Sequence, residues 1–298
     1  MTAHPKTRFR PLLFLLTALL LLGLLAWAAA LYIPHALRLR REAAWRASLE
    51  STRQAIPPLP PIDIGNGLEL ELVPIPAGTF DMGSPTTEKH RWYDETLHPV
   101  TLTHSFYLGK YEVTQAQWEQ VHGGTPSHFT GAELPVEQIS WDNCLRFCKA
   151  LNDTGLAPAG WHFSLPTEAQ WEYACRAGAT APYAGNGCLA SMGWYAQNSG
   201  WHTHPVGQKL PNAWGLYDMH GNVFEWCLDG YDGYPSTAES DPEGPSTRVT
   251  PYRIVRGGGW GADARACRSA HRENVYHNSS LNAYIGMRVA LVPDTPEP

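Results

Sequence analysis

Residues 212–229 read NAWGLYDMHGNVFEWCLD. Two carboxylates, Asp218 and Glu225, flank the His-Gly-Asn turn at 220–222, and Trp214, Tyr217, Phe224 and Trp226 fence them with rings. The stretch is too rich in glycine and asparagine for a helix, because glycine loses the most freedom on ordering and asparagine competes for its own backbone. It also lacks the clean alternation of an ordinary half-buried strand. It therefore reads as a loop that something must hold. Calcium takes oxygens of this kind, six to eight of them at about 2.3–2.6 Å, from carboxylates and turn carbonyls. The plainer alternative is an aspartate bonded to its own turn and a solvated glutamate.

Around this loop lies a chain of 298 residues with 12 Trp, 27 Gly and 25 Pro and only 17% charged residues. That composition describes a globular body of short elements and many turns, with large aromatic plates in its core. The net charge of −6 is unevenly spread. Residues 1–56 hold eight Lys/Arg against Glu42 and Glu50, a balance of +6, so the remainder carries −12. An acidic body is a poor partner for phosphate backbones, which sets nucleic acid aside.

Leu12–Ile33 is a run of 22 uncharged residues. As a helix it would reach about 33 Å, enough to cross the hydrocarbon core of a bilayer. It reads as a membrane anchor, with a cleaved signal peptide as the alternative because Ala26, Ala28 and Ala30 offer small-x-small sites. Lys6, Arg8 and Arg10 on one flank balance Arg38, Arg40, Arg41 and Arg46 on the other, so charge does not set the orientation. Residues 37–56 suit a basic helix at the membrane surface, stopped by PPLPP at 57–61. The expected organisation is an anchor over 1–36, a basic helix and linker over 37–61, and a domain over 62–298. The body would then lie outside the cytoplasm, in a periplasm, or be secreted if the first segment is removed.

Six cysteines, at 144, 148, 175, 188, 227 and 267, permit up to three disulfides in an oxidising compartment, and spacing alone selects no pairing. No CxxC occurs, which argues against zinc. Thr114-Gln-Ala-Gln117 and Thr167-Glu-Ala-Gln170 both fit a helix-starting capping box, with Gly123 and Gly178 as stops. Between them a helix over about 141–151 places Trp141, Cys144, Leu145, Cys148 and Leu151 on one face, which makes both cysteines core residues. Leu68, Leu70 and Leu72 alternate with Glu69 and Glu71 as in a strand, and YIGMRVAL at 284–291 is another strand-like run. Beyond about residue 180 turn signals dominate and no helical pattern persists. The predicted class is an irregular α+β fold.

Several motifs stand in one order: IPAGTFDMGS, YEVTQAQWEQ, LPVEQISWDNCLRFC, FSLPTEAQWEYACRAG, the 203–229 segment, and IVRGGGW followed by CRSAHR and YIGMRVAL. Together they resemble the formylglycine-generating enzyme, or sulfatase-modifying factor, family over residues 68–292. The resemblance implies a C-type-lectin-like core with little regular structure, bound calcium, and pairing of the first and last strands. By the same resemblance Asp218 and Glu225 would give side-chain oxygens to calcium while Gly221 and Val223 give carbonyls, and Asn198 would belong to a second calcium site. It further implies a disulfide between Cys175 and Cys267.

Family enzymes oxidise a substrate cysteine with oxygen and copper held by two cysteines after an RGGSW-like turn. Thiolates suit soft Cu(I). Counted from Arg256-Gly257-Gly258-Gly259-Trp260, the first of the pair falls on Ala262 and the second on Cys267. One thiol remains, so copper is not expected, and Cys267 would be catalytic only in an oxidase with a variant site. His202-x-His204 is a close histidine pair with no marked third ligand for iron. In lectin-like relatives the arm after the RGGSW-like turn lines the ligand face, so Trp260, Arg265, Arg272, Asn274, Tyr276 and His277 are the candidate contacts to a protein or peptide partner. The expected function is a membrane-tethered, calcium-stabilised binding, maturation or regulatory factor. Its alternative is an oxidase acting on a protein or peptide.

Overall fold

The structure is a computed structural model that describes residues 56–185, 187–245 and 249–294. The expected anchor at Leu12–Ile33 and the basic helix at 37–56 fall almost wholly outside these residues. Among the described residues, no helix is long and apolar enough to cross a membrane.

The helices form where the caps point. In α1 (Gln115–His122) the Thr114 hydroxyl accepts from the Gln117 N–H at 3.2 Å, and the Gln117 side chain accepts from the Thr114 N–H at 2.9 Å. The left-handed Gly123 ends it. In α2 (Trp141–Asp153) Ser140 and Asn143 make the same reciprocal pair, with Asn143 where the sequence pattern looks for Glu or Gln. Its buried face holds Trp141, Cys144, Phe147, Cys148 and Leu151, so Phe147 and not Leu145 completes the stripe. In α3 (Glu168–Arg176) Thr167 caps as expected, but the helix ends at Ala177 in the left-handed region, one residue before Gly178. A single helical turn, α4 (Leu189–Met192), lies in the region read as turns alone.

Among the described residues the strands are short and fall into four sheets. A hairpin joins β1 (Ile62–Gly65) to β2 (Leu68–Leu70), and it precedes β3 (Leu72–Ile75), β4 (Gly78–Met82), β5 (His98–Leu102) and β6 (Phe106–Gly109). Then follow β7 (Trp161–Ser164), β8 (Phe224–Gly230), β9 (Glu239–Ser240), β10 (Tyr252–Arg256), β11 (Glu273–Tyr276), β12 (Ile285–Gly286) and β13 (Ala290–Pro293). The sheet orders are β11-β10-β8-β12, β3-β6-β13-β7 and β4-β5-β9, beside the hairpin. The first and last strands of the second sheet, β3 and β13, do not pair, because β6 lies between them and bonds both. YIGMRVAL is likewise not one strand. Ile285–Gly286 runs parallel to β8, Ala290–Pro293 joins the other sheet, and Met287, Arg288 and Val289 cross between them, all buried.

The segment quoted at the outset divides at residue 224. Its first half is a loop, and its second half, β8, is a central strand bonded on both sides. Trp226 packs into one hydrophobic core with Trp118, Phe147 and Phe163, while Cys227 belongs to the other with Trp171 and Phe106. Successive side chains of a strand point to opposite faces, so Glu225, Cys227 and Asp229 share the face toward α3, where the Trp171 indole and the Glu168 N–H meet the two acids. Buried acids on that face are what hide the strand from a polar-apolar count.

Candidate functional site

The loop closes on a buried charge cluster. Both oxygens of Glu225 accept from Arg288, at 2.7 Å from Nη2 and 3.0 Å from Nε, and Oε2 also accepts from the Trp171 indole at 2.6 Å. Arg288 donates further to the carbonyls of Gly109 and Tyr217, each at 2.7 Å, and is fully enclosed. Asp218, in the left-handed region at φ 61°, accepts from the Gly207 N–H at 2.7 Å through Oδ2, while its buried Oδ1 has no partner. A third acid, Glu112, accepts from the Asn222 amide at 2.6 Å and the Val223 N–H at 3.0 Å. Sequence reasoning missed Glu112. Its only signal is a single acid in Tyr-Glu-Val-Thr, and its partners stand 110 and 111 residues away.

Three carboxyl groups surround one guanidinium, with Lys209 as a further cation acting on Asp218, and burial works against ionising all three. Burial, reinforced by Asp218 and Glu225, pushes the Glu112 carboxyl well above the usual carboxylate range. Burial also raises Asp218 to about 6, against the help of the Gly207 N–H. What favours a divalent cation here is the enclosed Asp218 oxygen, which would otherwise go unsatisfied at a cost of about 1–3 kcal/mol. Gly221 is required in this turn, because a Cβ there would lie 2.2 Å from the Trp194 carbonyl oxygen. Among the described residues no three His, Cys, Asp or Glu side chains are arranged to hold a metal ion. Asn198 serves its own turn: Oδ1 accepts from the Tyr195 N–H at 2.8 Å and the amide donates to the Gly193 carbonyl at 3.0 Å.

The cysteine end is closed. Cys267 ends a 3₁₀ turn (Ala264–Cys267) and lies in a small apolar cluster with Leu189 and Tyr195, with Ala262 and Ala264 packed against it. Burial, and then Asp263, pushes its thiol up to about 12. The thiolate is the metal-binding form, so Cys267 is held in the unreactive one. The disulfide implied between Cys175 and Cys267 is not formed, and both are buried free thiols. His220 links the two positions instead. Its Nδ1 sits 2.9 Å from the Cys267 carbonyl, and its Nε2 accepts from the Ala184 N–H at 3.0 Å and lies 3.8 Å from the Cys175 sulfur.

The six residues expected to share a ligand face are dispersed. Trp260 stacks on Tyr284 at 4.3 Å between ring centres and meets Phe129 edge-on at 5.3 Å, with the exposed Trp201 at 6.5 Å. Arg265 is exposed and chelates Asp263. Arg272 is buried, bonded to both oxygens of Glu168 at 2.9 and 2.6 Å, and its neighbour Arg268 is likewise buried against Glu88 and Glu95. Asn274 and Tyr276 lie on β11, an edge strand, and His277 just beyond it pairs with Asp142 at 3.0 Å. Sequence reasoning left out Phe129, Trp201 and Tyr284, the rings that surround Trp260. His202 and His204 adjoin this face with ring centres 4.3 Å apart.

Comparison with known proteins agrees with this architecture. The chain is 33% identical over 239 residues to chaperone protein LppX of Paenibacillus barcinonensis, covering 64% of this chain and 78% of that protein. It is 30% identical over 205 residues to the formylglycine-generating enzyme of Streptomyces coelicolor, covering 60% of this chain and 59% of the enzyme. Among solved structures, Treponema denticola variable protein 1 superposes with a TM-score of 0.71 at 27% identity, over 78% of this chain and 99% of that one. With residues 67–292 matching its model, the chain belongs to the family of sulfatase-modifying factor enzyme 1-like domains.

Proposed function

We propose that this domain is a calcium-stabilised binding and maturation factor, tethered to a membrane by its N-terminal segment, and not a copper-thiol oxidase. The observation that carries the reading is the lone, enclosed Cys267 with Ala262 where a second sulfur would stand. A two-sulfur Cu(I) site cannot be assembled from one protonated thiol. Similarity to a protein named as a chaperone supports a role exerted on other proteins. The partner would be a protein or peptide taken up at the aromatic surface of Phe129, Trp201, Trp260 and Tyr284. Rings of this kind give contact area at low side-chain entropy cost.

The purified full chain, loaded with Cu(I) and given a cysteine-containing sulfatase peptide, is expected to consume no oxygen above the copper blank. Turnover that disappears in Cys267→Ser would establish the alternative, an oxidase with a variant site, for which similarity to the Streptomyces enzyme is the supporting observation.

Calcium would rest on Asp218 and on the carbonyls of Gly221 and Val223, with Glu225 sharing an oxygen between the ion and Arg288. The ion would favour the charged form of Asp218 and hold the 217–225 loop. At a hundredfold excess over its dissociation constant, a bound ion adds about 2.7 kcal/mol of stability. The melting temperature is therefore expected to fall by several degrees on chelation and to return with calcium. An unchanged melting curve together with no calcium by elemental analysis removes this part of the reading.

A further inference from the structure

A half-enclosed cavity of about 230 Å³ opens at the far end of β8 from the Trp260 turn. Asp229, only 4% exposed, lies at its base. Its Oδ2 accepts from the Glu168 N–H at 2.6 Å, and among the described residues its Oδ1 bonds to no other residue. Tyr234 lines the same cavity with a buried hydroxyl that has no partner. Gly244, at φ +65°, closes over the acid, where a Cβ would come within 2.9 Å of the Asp229 Cβ.

The one arginine in the lining cannot serve an anion. Arg272 spends its donors on Glu168 and on the Asp232 carbonyl at 2.8 Å, and its guanidinium lies 3.8 Å from the centre of the Tyr234 ring. The polar groups left toward the cavity are Asp229 Oδ1 and the Tyr234 hydroxyl, while Glu239, toward solvent, faces His98 Nε2 at 3.3 Å. Burial, and next Glu168, raises the Asp229 carboxyl to about 8, and the same two causes raise the Tyr234 hydroxyl well above its ordinary value. A buried acid beside an unsatisfied hydroxyl is a costly arrangement that a positive donor group relieves.

We propose that this cavity binds a primary ammonium carried on a short aliphatic chain, with Asp229 Oδ1 and the Tyr234 oxygen accepting from the head group. An ammonium has three donors, enough to serve Asp229 Oδ1 and the Tyr234 oxygen together, and its charge favours the ionised form of Asp229. Pro235, Pro242 and Pro245 give the aliphatic part a rigid apolar wall. At about 30 Å³ for each water-sized unit, the space holds roughly seven non-hydrogen atoms, the size of a free alkyl diamine or a lysine side chain. The site is separate from the 217–225 loop and from the Trp260 face, so it stands whether or not calcium or an oxidase activity is found.

The test is calorimetry on the full chain at pH 7.5 with four probes: cadaverine, Nα-acetyl-lysine amide, 1-pentanol and pentanoate. Both amines are expected to bind, and the alcohol and the acid are expected not to. Tighter binding of the lysine amide assigns the pocket to a peptide side chain, and tighter binding of cadaverine to a free amine. Asp229→Asn has the shape of the protonated acid and keeps an oxygen for the Glu168 N–H, so it should fold normally and weaken amine binding at least about tenfold. Tyr234→Phe removes only the hydroxyl and should weaken it several-fold. Amines that bind no better than pentanol, or equally well to Asp229→Asn, overturn the proposal.

Discussion

Replacing Arg288 with methionine is expected to cost about 3–5 kcal/mol of folding stability, the range for removing one partner of a buried ion pair. Arg288 has no access to solvent, and its guanidinium satisfies both oxygens of Glu225 and two carbonyls, one at the end of β6 and one in the 217–225 loop. Without it, Glu225, Asp218 and Glu112 face one another with no internal cation, and the carbonyls of Gly109 and Tyr217 lose their donor. The energetic loss is therefore mostly uncompensated charge and only secondarily lost packing, since methionine fills much of the arginine stem. Urea unfolding measures it. The double variant Arg288→Met, Glu225→Gln supplies the check, because deleting both charges should recover a substantial part of the loss. A single variant within about 1 kcal/mol of the parent would show that the cluster is neutralised by other means, such as a tightly held cation.

Glu172→Ala is the second large effect, again about 3–5 kcal/mol. Glu172 is fully buried on α3 and is shared by two arginines and a turn. Oε1 accepts from Arg176 Nε at 2.8 Å and from the Gly83 N–H at 2.9 Å, while Oε2 pairs with Arg256. Arg256 keeps only a longer approach to Glu168, at 3.7 Å, when Glu172 is gone. Arg256 would then depend on an acid already bound to Arg272, and Arg176 would keep only the Gly83 carbonyl. Glu172→Gln keeps the acceptor to Gly83 and the side-chain volume, so it isolates the charge and should lose less than alanine does. Equal losses for alanine and glutamine would assign the whole effect to charge, and a small loss for both would contradict the shared-hub reading. Soluble yield and the urea midpoint report the two cases in turn.

Much of the local architecture was legible in residues that lie next to one another. Thr114 with Gln117 and Thr167 with Gln170 start helices because both members of each cap are three residues apart. Ser140 with Asn143 does the same and was overlooked only because asparagine reaches back less often than glutamine. Legibility failed wherever a side chain's partner is distant. Arg272 reads as a surface contact until Glu168, 104 residues earlier, is brought against it, and β8 reads as a loop until Arg288 and Glu168 neutralise or bond its inward acids. Cys175 and Cys267 are neighbours of one histidine, which meets the sulfur of the first and the carbonyl of the second, and no disulfide joins them.

By itself, the order of residues determined the helix starts, the glycine bend at 221, the family, and the loss of one of two sulfurs at 262 and 267. These depend on neighbours within a few positions or on the bare identity of a side chain. Only the tertiary structure decided which acids face which arginines, that Asp218 keeps a bare oxygen, and that Cys267 is sealed beneath apolar groups. The reason is physical: the free energy of a buried charge is set by what surrounds it in space, and here those surroundings arrive from segments roughly sixty to 180 residues away.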